Sequence, residues 1–366
     1  MVARIGAESP SASTAKGLSR RTTVTLAAAV IAAAALLAGG RQQSAPPPVG
    51  RVTAGQAWPR AARADFPDLP VSPLLFLDAR TVVGTLPTRD GAHQRLVIQT
   101  PGGPDRELRR LPADGNPQFG SVTAAGGRLV WAELAEHRPW QLWTADLAGG
   151  PARRLVPDAG DVTFPGNQHD LVIAQDQVYW AVAAGERATV IRSVPLVGGP
   201  PTGRTLDGQW SLSTWPWLTD EASAGTGTTR LRDMATGRQI RISVPAHQLA
   251  GCTLSWCRVM VMNPGGALAG IDLMHPDGSG RRRIAGGGAQ AAVTDVAVLD
   301  RFEILSEPAP DSDLTGAAGL LVYDIATGRT VTISSAAGGV FTHDGMLWWS
   351  TGETDLVWHT LDLRTA

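Results

Sequence analysis

The sequence predicts an all-β fold, a seven-bladed β-propeller, with six or eight blades as the neighbouring counts, behind an N-terminal signal or anchor segment. Three observations carry this. First, a motif in which a strand ends in an Asp-apolar pair before a Gly-containing turn recurs at anchor positions 99, 146, 195, 233, 272, 324 and 362. The mean spacing is about 44 residues, within the range of propeller blades. Second, an apolar and often aromatic segment precedes each anchor in step with it. Third, no long stretch of the body has the period of an amphipathic helix. A pair of β-sandwiches is the competing architecture; two markers in phase over seven copies speak against it.

Composition agrees. The chain has 366 residues, 43% hydrophobic and 18% charged, apolar enough for a large core and too apolar for disorder. Gly (42) and Pro (26) make it turn-rich, without the period of collagen. Positive charge is almost all Arg, with Lys16 the one lysine. The formal net charge of −1 gives no bulk attraction to nucleic acid, and no nucleic-acid partner is expected.

In chain order, residues 1–40 come first. Arg4, Lys16, Arg20 and Arg21 stand against Glu8 alone, and an apolar run follows from Val24 to Ala38. This is the pattern of a secretory signal, and Ala38-Gly39-Gly40 offers small residues for cleavage before Arg41. An uncleaved anchor is equally open, since Thr22 to Gly40 just reaches the roughly 20 residues a bilayer needs. Either way the rest of the chain is expected outside the cytoplasmic membrane, with membrane contact only through residues 22–40 if they are retained. Gly40 stands where a lipoprotein requires Cys, so lipidation is rejected. Residues 41–65 are rich in Pro and Ala, with three consecutive prolines at 46–48, and read as an extended linker.

The body, 66–366, consists of units of four strands. Strand b is the aromatic marker: Thr81-Val82-Val83, Leu129-Val130-Trp131, Val178-Tyr179-Trp180, Trp215-Pro216-Trp217, Val259-Met260-Val261, Phe302 to Leu305 and Leu347-Trp348-Trp349. Such residues favour strands. Strand c ends at the anchor, as in Asp233-Met234-Ala235-Thr236-Gly237 and Asp324-Ile325-Ala326-Thr327-Gly328. An Arg-bearing strand d follows, whose charges suit a sheet edge. The last unit stops at Ala366 without a strand d, and residues near 51–75 are expected to supply it, closing the ring with both chain ends. Such a ring leaves only short, protected edges.

The Asp-apolar-x-x-Gly turn after an apolar-aromatic strand resembles the TolB-like, or WD-repeat-like, propellers of exported bacterial proteins. The resemblance covers roughly residues 66–366, although the Trp-Asp pair of intracellular WD repeats is absent. It implies a propeller fold and a binding platform, and marks no partner site.

Cys252 and Cys257 are the two cysteines. An even count in an exported chain favours a disulfide, here across the turn between strands a and b. The spacing fits neither a redox C-x-x-C pair nor a zinc site.

Motifs for a catalytic serine, a zinc protease, a P-loop or an EF-hand are missing from the body, and no cofactor or metal is expected. The chemistry that stands out is acidic. Loops between strands b and c lie on one face of a propeller, and most units place acids there: Asp90; Glu133 and Glu136; Glu186; Asp220 and Glu221; Glu307, Asp311 and Asp313; Glu353 and Asp355. Polar turns alone would give some of this; the functional reading is a face that attracts a cation or a basic partner. His137 and Trp140 flank it, Trp140 as a stacking surface or as packing. His169-Asp170 and His343-Asp344 are adjacent pairs that could share one rim, or be solvated turns. The leading reading is an exported, monomeric, non-catalytic propeller that binds a protein or peptide at the cell envelope. The alternatives are a propeller lyase or hydrolase acting on a glycan or antibiotic, with Glu133 or Glu136 near His137, and a membrane-anchored sensing ectodomain.

Overall fold

The structure, a computed structural model, describes residues 51–100, 102–220, 228–353 and 355–366. The signal or anchor segment 1–40 and Glu221 lie outside the described residues. Among the described residues, no helix is long and apolar enough to cross a membrane.

The chain enters with β1 (Val52–Thr53), a single helical turn α1 (Ala54–Ala57) and β2 (Arg63–Phe66). Blade one comprises β3 (Ser72–Phe76), β4 (Val82–Pro87), β5 (His93–Gln99) and β6 (Arg106–Pro112). Blade two comprises β7 (Gln118–Ala125), β8 (Arg128–Leu134), β9 (Gln141–Asp146) and β10 (Arg153–Val156). Blade three comprises β11 (Val172–Ala174), β12 (Gln177–Ala183), β13 (Ala188–Pro195) and β14 (Thr202–Asp207). Blade four comprises β15 (Ser211–Leu212), β16 (Trp217–Asp220), β17 (Thr228–Asp233) and β18 (Gln239–Ser243). Blade five comprises β19 (Gln248–Cys252), β20 (Cys257–Met262), β21 (Leu268–Met274) and β22 (Arg282–Gly286). Blade six comprises β23 (Gln290–Ala291), β24 (Phe302–Pro308), β25 (Ala318–Asp324) and β26 (Arg329–Ala337), with a helical turn α2 (Ser312–Thr315) between β24 and β25. Blade seven comprises β27 (Val340–His343), β28 (Met346–Thr351) and β29 (Val357–Asp362). Its outer strand is β2, antiparallel to β29 with Arg63 opposite Leu361 and Phe66 opposite Trp358. Seven sheets result, and the chain's own start completes the seventh, as the sequence predicts.

The marker segments fall on the b strands, in blade four only from Trp217 onward, and the seven anchors, Asp in five of them, end or sit within the c strands. Two details go beyond the expectation. Val52 and Thr53 add a parallel fifth strand to blade six, beside Val331 and Thr332. Chain on both sides of residue 65 therefore takes part in the blades. The third unit, for which the sequence reading names no strand d, has one in Thr202–Asp207, with Arg204 within it.

The local physics of the anchor is visible. The Asp233 carboxylate accepts the N–H of Ala235 (2.7 Å), and the Asp324 carboxylate that of Ala326 (3.0 Å), each turning the chain at the end of strand c. Four residues after each Asp, Gly237 and Gly328 donate their N–H back to the Asp carbonyl with φ of 74° and 68°. Glycine occupies that conformation without the steric cost a side chain would carry.

The core lies between blades. One buried cluster joins Leu75 and Leu96 of blade one to Trp131 of blade two and Trp348 of blade seven. Others join blades two and three around Trp180, three and four around Leu218, and four and five around Val259. Blades five and six meet around Leu305, and blades six and seven around Phe302. The strand-d arginines add a second tie. Arg106 donates to the carbonyls of Asp146 (2.7 Å) and Leu147 (2.9 Å), in the anchor turn of the next blade. Arg153 reaches Leu196 and Val197, Arg204 reaches Met234 and Arg282 reaches Ile325 in the same way. These arginines are staples between blades as well as edge charges.

The Cys252–Cys257 disulfide is present and spans the β19–β20 turn, where the two residues pair directly. Closing so short a loop stabilises by about 2 kcal/mol on the chain-entropy account.

Candidate functional site

Several acids assigned to the b–c loops prove to be strand residues with arginine partners. Glu133, in β8, is buried and bonded to Arg109 at 2.7 Å. Asp220, at the end of β16, is buried against Arg230. Glu307, in β24, takes a bidentate contact from Arg51 at 2.6 and 3.1 Å. A charge that ends a buried strand needs a partner, and each of these found one inside the fold. The others stay exposed. Asp90 sits in the β4–β5 turn, accepting Thr88 Oγ1 (2.5 Å) and the Ala92 N–H (3.1 Å), bonds that hold its carboxyl below the usual range. Glu136 and His137 form an exposed pair at 3.4 Å. Glu186, Asp311, Asp313, Glu353 and Asp355 are exposed in the loops of blades three, six and seven. Trp140 packs edge-on against Phe164, 5.7 Å between centroids, as inter-blade core. Glu133 turned inward to Arg109 leaves Glu136 and His137 as an isolated surface pair, so the trio offered for an enzyme does not share a cleft.

The structure gathers a different set at the axis. The 157–171 connection ahead of β11 carries Asn167, Gln168, His169 and Asp170 across the channel, where Gln168 Oε1 accepts the Asp344 N–H of blade seven at 2.9 Å. From the opposite side comes the 292–301 connection between β23 and β24. Asn167, Gln168, Thr294 and Asp295 line both of two cavities, of about 310 and 350 Å³. The first is walled by turns between strands a and b, including Cys252, Thr253, Asp344 and Gly345. The second is walled by the a strands themselves, with Ser121, Asp170, Asp295, Phe341, Thr342, His343 and Trp348. By strand direction the second lies nearer the b–c loop face.

Asp170 is buried and accepts Ser121 Oγ at 3.0 Å and the Gly166 N–H at 3.1 Å. Burial nevertheless outweighs these bonds, and its carboxyl is pushed up to about 6. Asp295 is buried and accepts Thr342 Oγ1 at 2.8 Å through Oδ2. His343 is drawn down to about 4 by burial, and His169 is lowered for the same reason. Asp170, Asp295 and His343 line the second cavity, and His169 lines the first, which Asp295 also borders. Among the described residues, His343 Nε2 and Trp348 Nε1 are buried without a hydrogen-bond partner.

A buried ion pair holds this arrangement. Arg258 of β20 meets Glu303 of β24 at 2.7 Å, with side chains 9% and 0% exposed. The guanidinium also donates to the carbonyls of Val293, Thr294 and Asp295 at 2.8 to 3.2 Å, and Glu303 accepts the Ala297 N–H at 2.8 Å. The pair thus fixes the segment that presents Asp295.

A hydrogen-bond chain elsewhere has the order of an acyl-transfer triad. Thr351 Oγ1 lies 2.8 Å from His359 Nε2, and His359 Nδ1 lies 2.7 Å from Asp65. Asp65 is 77% exposed, and no cavity described above reaches Thr351. The three residues lie on the b, c and d strands of blade seven, so the chain clamps β2 to the blade.

The axial groups pull stability in opposite directions with pH. Asp170, raised when folded, stabilises most below its unfolded value of 3.8 and loses that contribution as pH rises through about 6. His343, lowered when folded, stabilises above 6.5 and loses that contribution as pH falls through about 4. His343→Gln is therefore expected to gain in Tm over the parent as pH falls from 6.5 to 4. Asp170→Asn is expected to lose over the same window. Thermal unfolding of the three proteins across pH checks both signs; parallel Tm curves would contradict them.

Fold and site together define a seven-bladed β-propeller with a polar, partly plugged axial channel. No protein family's sequence profile matches the chain, and no curated protein does. Solved structures do match. A Mycobacterium tuberculosis puromycin-hydrolyzing peptidase is 17% identical, over 86% of this chain and 53% of that one, with a TM-score of 0.50. A prolyl endopeptidase is 12% identical, over 80% and 46%, also at 0.50. TolB from Acinetobacter baumannii is 11% identical over 70% and 65%, at 0.41. This chain spans about half the length of those two peptidases. At these identities the shared feature is the propeller fold, the fold implied by the TolB-like resemblance of the repeat.

Proposed function

We propose that the protein is an exported, non-catalytic propeller that binds a basic protein or peptide on its b–c loop face at the cell envelope. One observation carries this reading. Asp90, Glu136, Asp311, Glu353 and Asp355 stay exposed on that face with no arginine partner among the described residues. Their companions Glu133 and Glu307 are neutralised within the fold. Arg89, Arg138 and Arg187 are exposed in the same loops, so the rim is net acidic through its excess of carboxylates. A net charge of one sign raises the local concentration of an oppositely charged partner and speeds its capture. Export rests on residues 1–40, and mass analysis of the protein from its host would find a chain starting near Arg41, or a retained anchor. The binding test is the variant D90N/E136Q/D311N/E353Q/D355N, which touches only exposed side chains. Its capture of envelope proteins by cross-linking is expected to fall at least tenfold at low salt. Unchanged capture would overturn the proposal.

A further inference from the structure

We propose that the second axial cavity is a receptor for a guanidinium group, inserted from the b–c loop face. This deepens the function proposed above and rests on it for the direction of approach. The cavity measures about 350 Å³ and contains two buried carboxylates, Asp170 and Asp295. Neither is in an ion pair among the described residues. Asp170 is bonded only to Ser121 and to backbone N–H groups, and Asp295 only to Thr342, which leaves Asp295 Oδ1 without a donor. The nearby cations are committed elsewhere. Arg258 is held by Glu303 and three carbonyls, and Arg364 by Asp362 at 2.8 Å. Buried carboxylates without counter-charge are costly, and a cation entering the cavity would relieve that cost.

The remaining lining narrows the class. His343 is drawn down to about 4 by burial, so it adds no positive charge against a cation near neutral pH. His343 brings an imidazole nitrogen, Nε2, that is buried without a partner. Phe341 is 45% exposed, lines the cavity and stacks on Trp348 at 5.7 Å and 18°. Carboxylates beside an aromatic wall suit a planar, weakly hydrated cation that donates along its edge and stacks on its face. The same described residues form no group of three metal-type ligands, which favours an organic cation over a metal ion. The titratable groups that line the cavity are Asp170, Asp295 and His343, with His169, Asp300 and Asp344 lining the first cavity and Arg364 beside Asp344 at 3.7 Å.

A guanidinium can arrive as a free small molecule or on a peptide, and titration calorimetry on the intact propeller separates the two. The probes are agmatine, the capped peptide acetyl-Gly-Arg-Gly-amide, its Lys counterpart and glutarate. Binding of agmatine or of the Arg peptide is expected, with the Lys peptide at least fivefold weaker and glutarate silent. Agmatine binding alone assigns a free ligand, and peptide binding alone a side chain on a partner. Asp295→Asn, which keeps an oxygen for Thr342, is expected to weaken binding at least tenfold. Phe341→Ala, at an exposed ring, is expected to weaken it about fivefold. Affinity should also fall between pH 7 and 5 as Asp170 takes up a proton. Glutarate binding as tightly as agmatine, no binding by either guanidinium probe, or Asp295→Asn binding unchanged would overturn the proposal. The rim variant separates the two ideas. If it loses envelope capture while agmatine binding persists, both stand. If guanidinium probes fail while envelope capture still depends on the rim, only the cavity assignment falls.

Discussion

Glu303→Ala is expected to destabilise the propeller by about 3–5 kcal/mol, because it strands Arg258 as an uncompensated charge 9% exposed in the core. In a domain of this size that lowers Tm by on the order of 10 °C. The loss should be local as well as global. The Ala297 N–H loses its acceptor, and the Arg258 contacts to the 293–295 carbonyls lose their anchor. Hydrogen exchange at residues 292–301 should therefore speed up more than exchange in blades one to three. Removing both charges, as Arg258→Met with Glu303→Leu, should recover only part of the stability. A buried pair replaced by apolar residues can be near neutral, but here the carbonyls of Val293, Thr294 and Asp295 would still lack donors. A Glu303→Ala protein that melts with the parent would show that the pair is dispensable.

The ring itself was legible in the sequence because its physics repeats. Asp146, Asp233, Asp324 and Asp362 each accept the N–H two residues on, Gly237 and Gly328 take nearly the same positive φ after theirs, and the apolar b strands fill successive gaps between blades. Even the closure could be read, since a last unit ending at Leu361-Asp362-Leu363 lacks an outer strand that the chain's start can supply. The fate of the acids was not legible. Glu133 and Glu136 are three residues apart and look alike in the sequence. The partner that buries Glu133 is Arg109, on a different blade, and no local pattern announces it. The same holds for Glu307 with Arg51 across 256 residues. The axial site left a faint trace. His169-Asp170 and His343-Asp344 were visible as matching pairs, but Asp295 stands in an unremarkable Val-Thr-Asp-Val run. Its place on the axis follows from an enlarged connection between β23 and β24, not from a motif.

A chain that begins at residue 67 is expected to lose cooperative folding, and this is the largest effect the structure implies. Three kinds of contact would go together. Loss of strand β2 would leave the outer edge of β29 unpaired along Trp358–Leu361 and remove the Asp65–His359–Thr351 clamp. Trp58, 6% exposed and edge-on to Phe302 at 5.4 Å, would vacate the core between blades six and seven. Arg51 would leave Glu307 half-buried without its partner. Truncating one buried Trp typically costs about 3–5 kcal/mol, and a whole domain is commonly stable by only about 5–15 kcal/mol. Loss of a strand and an ion pair in addition should exhaust what the other six blades supply. Because blade seven packs on both blade six and blade one, the opening cannot stay confined to one sheet. The comparison is between chains beginning at 51 and at 67, followed by thermal unfolding. The shorter chain should show no sharp transition, and a peptide of residues 51–66 added in trans should restore one in proportion to its concentration. A sharp transition within a few degrees of the longer chain would mean that the remaining strands close the ring unaided.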